Sequence, residues 1–344
     1  MAANDSKHRV FLRGVYSGAY DTSSMLTAQR AAERVWNEFT DFDESKDGYK
    51  DSDPSKESIT EWVLSPEDEP LRTQTLNVHF KELLPGGSNT GHGHQNEAAF
   101  YILEGRGYEI HDGKRYDWEE GDWVFVHADS VHRHFNADPD KRAKAIVIKA
   151  KSSYLALGLL QQGALEPWTD EDEAAGEYGE REDWSVLWSE DTHDRKKVVK
   201  ADDGDFELTP DGYVRTVASN ERTDVRCYST DIYMLKVPPG SRTSKHWHMA
   251  DEYVHVVSGS GRTKQWDVTH ELDDKYYARI RKEPVVADFN AGEHVYVPVN
   301  TVHVFENTSE TEELILISTQ NRLIKQLGYD RVEVLEPAPE WEAR

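Results

Sequence analysis

The stretch GGSNTGHGHQNEAAFYILEGRG at residues 86–107 returns at residues 240–261 as GSRTSKHWHMADEYVHVVSGSG. His92 and His94 fall on His246 and His248, Gly86 on Gly240 and Gly105 on Gly259, each pair 154 positions apart. A second block repeats at another offset: Gly121, His132 and Asn136 fall on Gly292, His303 and Asn307, each pair 171 apart. Two constant registers over histidines and glycines mark two copies of one unit. The second copy holds 17 extra residues between its blocks, including KYYARIRKEP at 275–284, a candidate rim loop or oligomer contact. One member differs: Glu252 stands where the first copy has Ala98.

Around both blocks the chain runs in short apolar segments divided by glycine, aspartate and proline. TLNVHF, AAFYILEG, GYEIHD, DWVFVHA and AKAIVIKA belong to the first copy. DIYMLKVPPG, EYVHVVSGSG, HVYVPV, VHVFEN and ELILIST belong to the second. Such runs predict antiparallel strands closed into a barrel or sandwich. Alternate residues of a strand share a face, so His92, His94, Ala98, Phe100 and Ile102 point one way, as do His246, His248 and Glu252. A barrel turns that face inward, where His132 or His303 completes each cluster. Glu97 has the opposite parity and points away.

Flanking segments read differently. Leu26, Ala31, Ala32, Val35, Trp36 and Phe39 give a helical spacing over about 23–42, and DFDESKDGYKDSDPSKES reads as an exposed loop. SSYLALGLLQQG reads as a helix, and EPWTDEDEAAGEYGERED as an acidic linker or surface helix. The expected organisation is an extension at 1–70, a barrel at 71–150, a linker at 151–210, a barrel at 211–320 and a tail at 321–344. The 65 acidic against 40 basic residues give a net charge of -25, which excludes a nucleic-acid or anionic membrane surface as partner. A well-solvated surface accounts for that charge, a salt-adapted host being the sharper alternative. One cysteine, Cys227, allows no internal disulfide, and MAANDSKHRV lacks the apolar core of a signal peptide, which points to the cytoplasm.

Imidazoles with a carboxylate suit Fe, Mn, Ni or Zn, so His246, His248, Glu252 and His303 form one expected metal site. His92, His94 and His132 form the other, without a carboxylate. Three neutral ligands leave the ion's charge uncompensated and leave positions for a substrate with two oxygen donors and for O2. His134, two residues after His132, shares the inward parity and has Phe305 as its counterpart.

These blocks match the cupin signature, G-x5-HxH-x3-E-x6-G followed by G-x5-P-x-G-x2-H-x3-N. The second copy matches except for Asn300 at the glycine of the second block. The first has Ala98, His127 and Asp129 in place of the glutamate, proline and glycine. The resemblance covers about 71–150 and 225–320. It implies an all-β fold of two tandem cupin (double-stranded β-helix, or jelly-roll) barrels with flanking helices. A three-histidine site without glutamate further resembles the gentisate-type ring-cleaving dioxygenases, which are also bicupins. That resemblance implies Fe(II) on His92, His94 and His132, and a general acid/base or substrate-orienting role for His134. Those enzymes lose the ligands of their second cupin, whereas this chain keeps them. They also grip the substrate carboxylate with an arginine after the HxH, where this chain has Ala98, Ala99 and Phe100.

The expected activity is an extradiol-type dioxygenase acting with O2 on a gentisate-, hydroquinone- or catechol-like aromatic. Phe100, Ile102 and Arg106 are the expected substrate contacts, and a homo-oligomer the expected assembly. Bicupin oxalate decarboxylases and flavonol-cleaving dioxygenases resemble the chain in keeping a four-ligand site, which leaves chemistry in the second barrel as the alternative. A non-enzymatic metal-dependent binding protein is the third.

Overall fold

A computed structural model describes residues 23–36, 58–66, 70–165 and 194–344. The first barrel pairs two sheets. One contains β2 (Ser58–Leu64), β3 (Asn77–Leu83), β5 (Ala98–Glu104), β8 (Trp123–Val126), β10 (Ala143–Lys149) and β12 (Val198–Val199), in the order β12-β8-β5-β10-β3-β2. The other contains β4 (His92–His94), β6 (Arg106–His111), β7 (Lys114–Glu119), β9 (Ser130–Asn136) and β11 (Gln162–Ala164), in the order β11-β4-β9-β6-β7.

The second barrel repeats the plan. Its first sheet holds β1 (Val35–Trp36), β13 (Glu207–Thr209), β14 (Gly212–Ala218), β15 (Thr230–Val237), β17 (Glu252–Ser258), β21 (His294–Val297) and β23 (Leu314–Asn321), in the order β1-β21-β17-β23-β15-β14-β13. Its second holds β16 (Lys245–His248), β18 (Ser260–Leu272), β19 (Tyr276–Ile280), β22 (Thr301–Asn307) and β24 (Glu333–Glu336), in the order β19-β18-β22-β16-β24, with β20 (Val285–Asn290) also on β18. The chain is two antiparallel jelly rolls in tandem, as the repeat predicts. The 275–284 insertion builds the β18–β19 hairpin, with Tyr277 and Ile280 exposed.

Each barrel borrows an edge strand from outside its repeat. Val198 and Val199 pair with Val124 and Trp123 of the first barrel. Val35 and Trp36 pair with Val295 and His294 of the second. The helix expected over 23–42 therefore ends early: α1 covers Ser23–Ala31, and the Tyr296 N–H donates to the Arg34 carbonyl at 2.8 Å. Sheet-edge hydrogen bonds override the helical spacing there. SSYLALGLLQQG is likewise only part helix, α2 (Lys151–Ala156), before β11 pairs with the histidine strand β4. The polar loop before Ser58 and the acidic stretch at 166–183 lie outside the described residues. Among the described residues, no helix is long and apolar enough to cross a membrane.

A buried cluster joins the barrels, with Phe80, Trp123, Phe125 and Ile148 on one side and Ile232, Tyr253, Tyr296 and Ile317 on the other. Each such side chain contributes about 1.5–3 kcal/mol on burial. Two carboxylates lock this interface reciprocally. Glu97 accepts from the Tyr228 N–H at 2.8 Å, the Ser229 N–H at 2.7 Å and the Ser229 hydroxyl at 2.7 Å. Its counterpart Asp251 accepts from the Gln74 N–H at 2.9 Å, the Thr75 N–H at 3.2 Å and the Thr73 hydroxyl at 2.9 Å.

Candidate metal centres

The HxH strands β4 and β16 lie beside β9 and β22, with His92 opposite His132 and His246 opposite His303. Ala98 and Glu252 open β5 and β17, on the facing sheets. The HxH pair and the fourth position thus meet across the barrel interior rather than along one strand. The structure brings His92, His94 and His132 together, and likewise His246, His248, Glu252 and His303. Within each group the donor atoms lie within 4.8 Å of one another.

A backbone carbonyl fixes every imidazole. Nδ1 of His92, His94 and His132 faces the Thr90, Asn96 and Ser130 carbonyls at 2.8, 2.6 and 3.5 Å. Nδ1 of His246, His248 and His303 faces the Ser244, Ala250 and Thr301 carbonyls at 3.4, 2.9 and 3.1 Å. Nδ1 then carries the proton, and Nε2 offers its lone pair to the centre, the arrangement a metal-bound histidine requires. Burial lowers the His92, His94 and His132 imidazoles, His94 to about 3, so all three are neutral ligands at pH 7. Among the described residues, the buried His94 Nε2 has no hydrogen-bond partner, which a bound cation would supply. In the second group, Glu252 reaches His248 Nε2 at 3.1 Å and His303 Nε2 at 3.0 Å. Burial pushes its carboxyl up, but its closeness to His248 and His303 prevails and holds it well below the usual carboxylate range.

The turns explain the departures from the motif. Asp129 and Asn300 occupy the glycine position just before the third histidine, with φ of 59° and 58°. Asp and Asn tolerate this left-handed conformation better than most residues. Asn136 and Asn307 are structural: the Asn136 amide donates to the carbonyls of Leu83, Leu84 and Lys141, and that of Asn307 to Val237, Pro238 and Glu312.

The interiors beyond the ligands differ. In the first barrel a cavity is lined by Phe100, Ile102, Trp118, His134 and Lys81 among others. The Phe100 and His134 rings are 4.4 Å apart, and His134 lies 5.4 Å from His132 between ring centroids. Behind His134 is Glu109, fully buried, with a carboxylate oxygen 3.8 Å from His134 Nδ1. Burial pushes the Glu109 carboxyl well up, with Lys197 pulling the other way. In the second barrel the corresponding positions are Val254, Phe305 and Thr263, all fully buried, and Phe289, Leu314 and Leu316 fill the space beside them.

Arg106, expected among the substrate contacts, is not in this cavity. Its side chain is 66% exposed and faces Asp138 at 3.7 Å. It opens β6 just after the Gly105 turn, and the strand's alternation turns it out while Gly107 and Glu109 turn in. Glu109, Lys81 and Lys149 escaped the sequence reading. The 154 and 171 offsets hold the signal, for these residues stand against Thr263, Leu235 and Gln320.

Comparison with known proteins agrees with this architecture. The Cupin domain family matches residues 79–149 and the Cupin family residues 198–338. The chain belongs to the cupins, as a bicupin with a metal-binding residue group in each barrel. An 85-residue stretch is 33% identical to a protein named probable oxalate decarboxylase from Arthroderma benhamiae, covering 24% of this chain and 18% of that protein. The chain thus matches less than a fifth of that relative's length.

Salicylate 1,2-dioxygenase from Pseudaminobacter salicylatoxidans superposes with a TM-score of 0.60 over 97% of this chain and 90% of that one, at 11% identity. The coconut allergen cocosin gives 0.56 over 77% and 81%, at 17% identity. A variant of Bacillus subtilis oxalate decarboxylase gives 0.53 over 77% and 73%, at 18% identity. At such identities the likeness is one of fold, which an oxygenase, a decarboxylase and an allergen share.

Proposed function

We propose that this bicupin is a non-haem Fe(II)-dependent dioxygenase that opens the ring of a hydroxylated aromatic in its first barrel. One observation carries the reading: the three-histidine cluster lacks a protein carboxylate, and His134, 5.4 Å from His132 between ring centroids, lines a cavity with Phe100, Ile102 and Trp118. Iron held by His92, His94 and His132 would supply Lewis acidity and redox chemistry toward dioxygen. Ala98 leaves the fourth ligand position to the substrate. Phe100 and Ile102 offer an apolar wall to an aromatic ring. His134, packed against Phe100 and backed by Glu109, would take and return a phenolic proton. In the packed second barrel, His246, His248, Glu252 and His303 would hold an ion in a structural role. A cytoplasmic homo-oligomer completes this reading.

Anaerobic reconstitution with Fe(II), followed by oxygen uptake on a panel of hydroxybenzoates, hydroquinones and catechols, tests it. Uptake with at least one of them is expected. No uptake with iron bound at the first site sinks the proposal. A second reading is favoured by the complete ligand set of His246, His248, Glu252 and His303: a Mn- or Fe-dependent decarboxylase. It predicts carbon dioxide from oxalate without net oxygen consumption.

A further inference from the structure

Within the second ligand group His246 is the member nearest solvent: it is 9% exposed, against 4% or less for His248, Glu252 and His303. An ion can leave this centre only after a ligand turns away, and the other three are packed in place. What holds the His246 ring therefore governs escape. Its Nδ1 faces two oxygens of one residue, the Ser244 hydroxyl at 3.0 Å and the Ser244 carbonyl at 3.4 Å. Ser244 is fully buried, and its hydroxyl donates to the Asp211 carboxylate, which lies 3.8 Å from His246 Nδ1. The proton directions agree along this chain. Nδ1–H donates to the hydroxyl oxygen, the hydroxyl donates to the carboxylate, and Nε2 keeps its lone pair for the ion.

Asp211 lies outside both histidine blocks, on a turn that presents it to the site. β13 and β14 pair Thr209 with Gly212, so Pro210 and Asp211 form a two-residue hairpin loop. Gly212 closes the loop at a φ of 102°, a conformation that favours glycine. The Thr209 hydroxyl accepts the Asp211 N–H at 3.1 Å. The C-terminal segment pins the turn from outside. Ala338, fully buried, donates its N–H to the Pro210 carbonyl at 2.8 Å, and β24 pairs with β16 so that Val334 lies beside His246. In the first barrel, His92 Nδ1 meets at 2.8 Å the carbonyl of Thr90, the counterpart of Ser244. Glu57, the counterpart of Asp211, lies outside the described residues, so the inference concerns the second centre alone.

We propose that Asp211, acting through the Ser244 hydroxyl, is a positioning residue that latches His246 and slows release of the ion from the second centre. The proposal rests on His246, His248, Glu252 and His303 holding an ion, and not on the dioxygenase reading. Its test uses the full chain carrying His94→Ala, which disables the first centre. This parent is loaded with Co(II) and mixed with excess EDTA, and ion loss is followed by the Co(II) absorption bands. Asp211→Asn and Ser244→Ala are each expected to speed release about 10- to 100-fold, the range for loss of a partner behind a ligating histidine. Ser244→Thr keeps the hydroxyl and is expected to release Co(II) as slowly as the parent. The double variant Asp211→Asn/Ser244→Ala is expected to be no faster than Ser244→Ala, because the carboxylate acts through the hydroxyl. Parent-like release in Asp211→Asn overturns the proposal, as does a double variant in which the two effects multiply. Faster release matched by an equal loss of stability in the metal-free chain, read from its urea midpoint, overturns it too. A parent that takes up no Co(II) refutes the metal reading of the second centre first, and the latch with it.

Discussion

Glu97 and Ala98 are neighbours with different fates. Glu97 leaves the barrel to bind the backbone of residues 228–229, so it cannot supply the carboxylate that Ala98 lacks. In the second barrel Asp251 and Glu252 divide the same tasks, and there both acids are present. His134 is the other inward difference, standing where the second barrel buries Phe305. His134→Phe should lower kcat about 10²- to 10⁴-fold, the range for removal of a general acid/base. Iron content should stay as in the wild type, because His134 is not among the ligand group. Unaltered kcat in an iron-replete His134→Phe protein contradicts its assigned role. The histidine sets, their inward direction and the outward turn of Glu97 were all legible from spacing. Glu109 and Lys149 were not, because a lone acid or lysine in a strand looks like a solvated face until the opposing strand is known.

The reciprocal elements are the carboxylate clamps and the borrowed edge strands. Loss of the Glu97 side chain leaves the Tyr228 N–H and the buried Ser229 N–H and hydroxyl without their acceptor. An unsatisfied buried group costs about 1–3 kcal/mol. Glu97→Ala should therefore shift the urea unfolding midpoint downward and leave the metal content of the first barrel intact. Loss of that metal with unchanged stability would instead make Glu97 a ligand. The borrowed strands show where pattern reading fails. Val35 and Trp36 fit the spacing of a helix, yet they complete the edge of a sheet about 260 residues away in sequence. Two-residue strands carry no periodicity, and only the unpaired edge of β21 explains them. The barrel strands were legible because six or seven alternating residues fix both type and face.

At the scale of the molecule, buried neutral histidines outside the metal groups make stability depend on pH. His127 joins the barrels by facing the Val225 carbonyl at 2.8 Å, and His255 lies on β17. Burial lowers both to about 3. In the unfolded chain they protonate near the ordinary histidine value of about 6.5. The folded state therefore binds fewer protons between those values. Stability should be full above about pH 6.5 and should fall as the pH drops toward 3. Denaturation curves of metal-free protein at pH 7.5 and 5.0 should show the lower midpoint at pH 5.0, and the reverse order contradicts the assignment. The tandem architecture was legible from the two offsets, whereas the division of labour between barrels emerges only from how each interior is filled.

That division is tested most directly by oxygen consumption in two variants reconstituted with Fe(II) and supplied with a hydroxybenzoate turned over by the wild type. His248→Ala, which opens the second centre, should keep oxygen uptake within about tenfold of the wild type while binding less metal. His94→Ala should abolish uptake. Uptake that survives in His94→Ala and disappears in His248→Ala would move the chemistry to the second barrel and contradict the account.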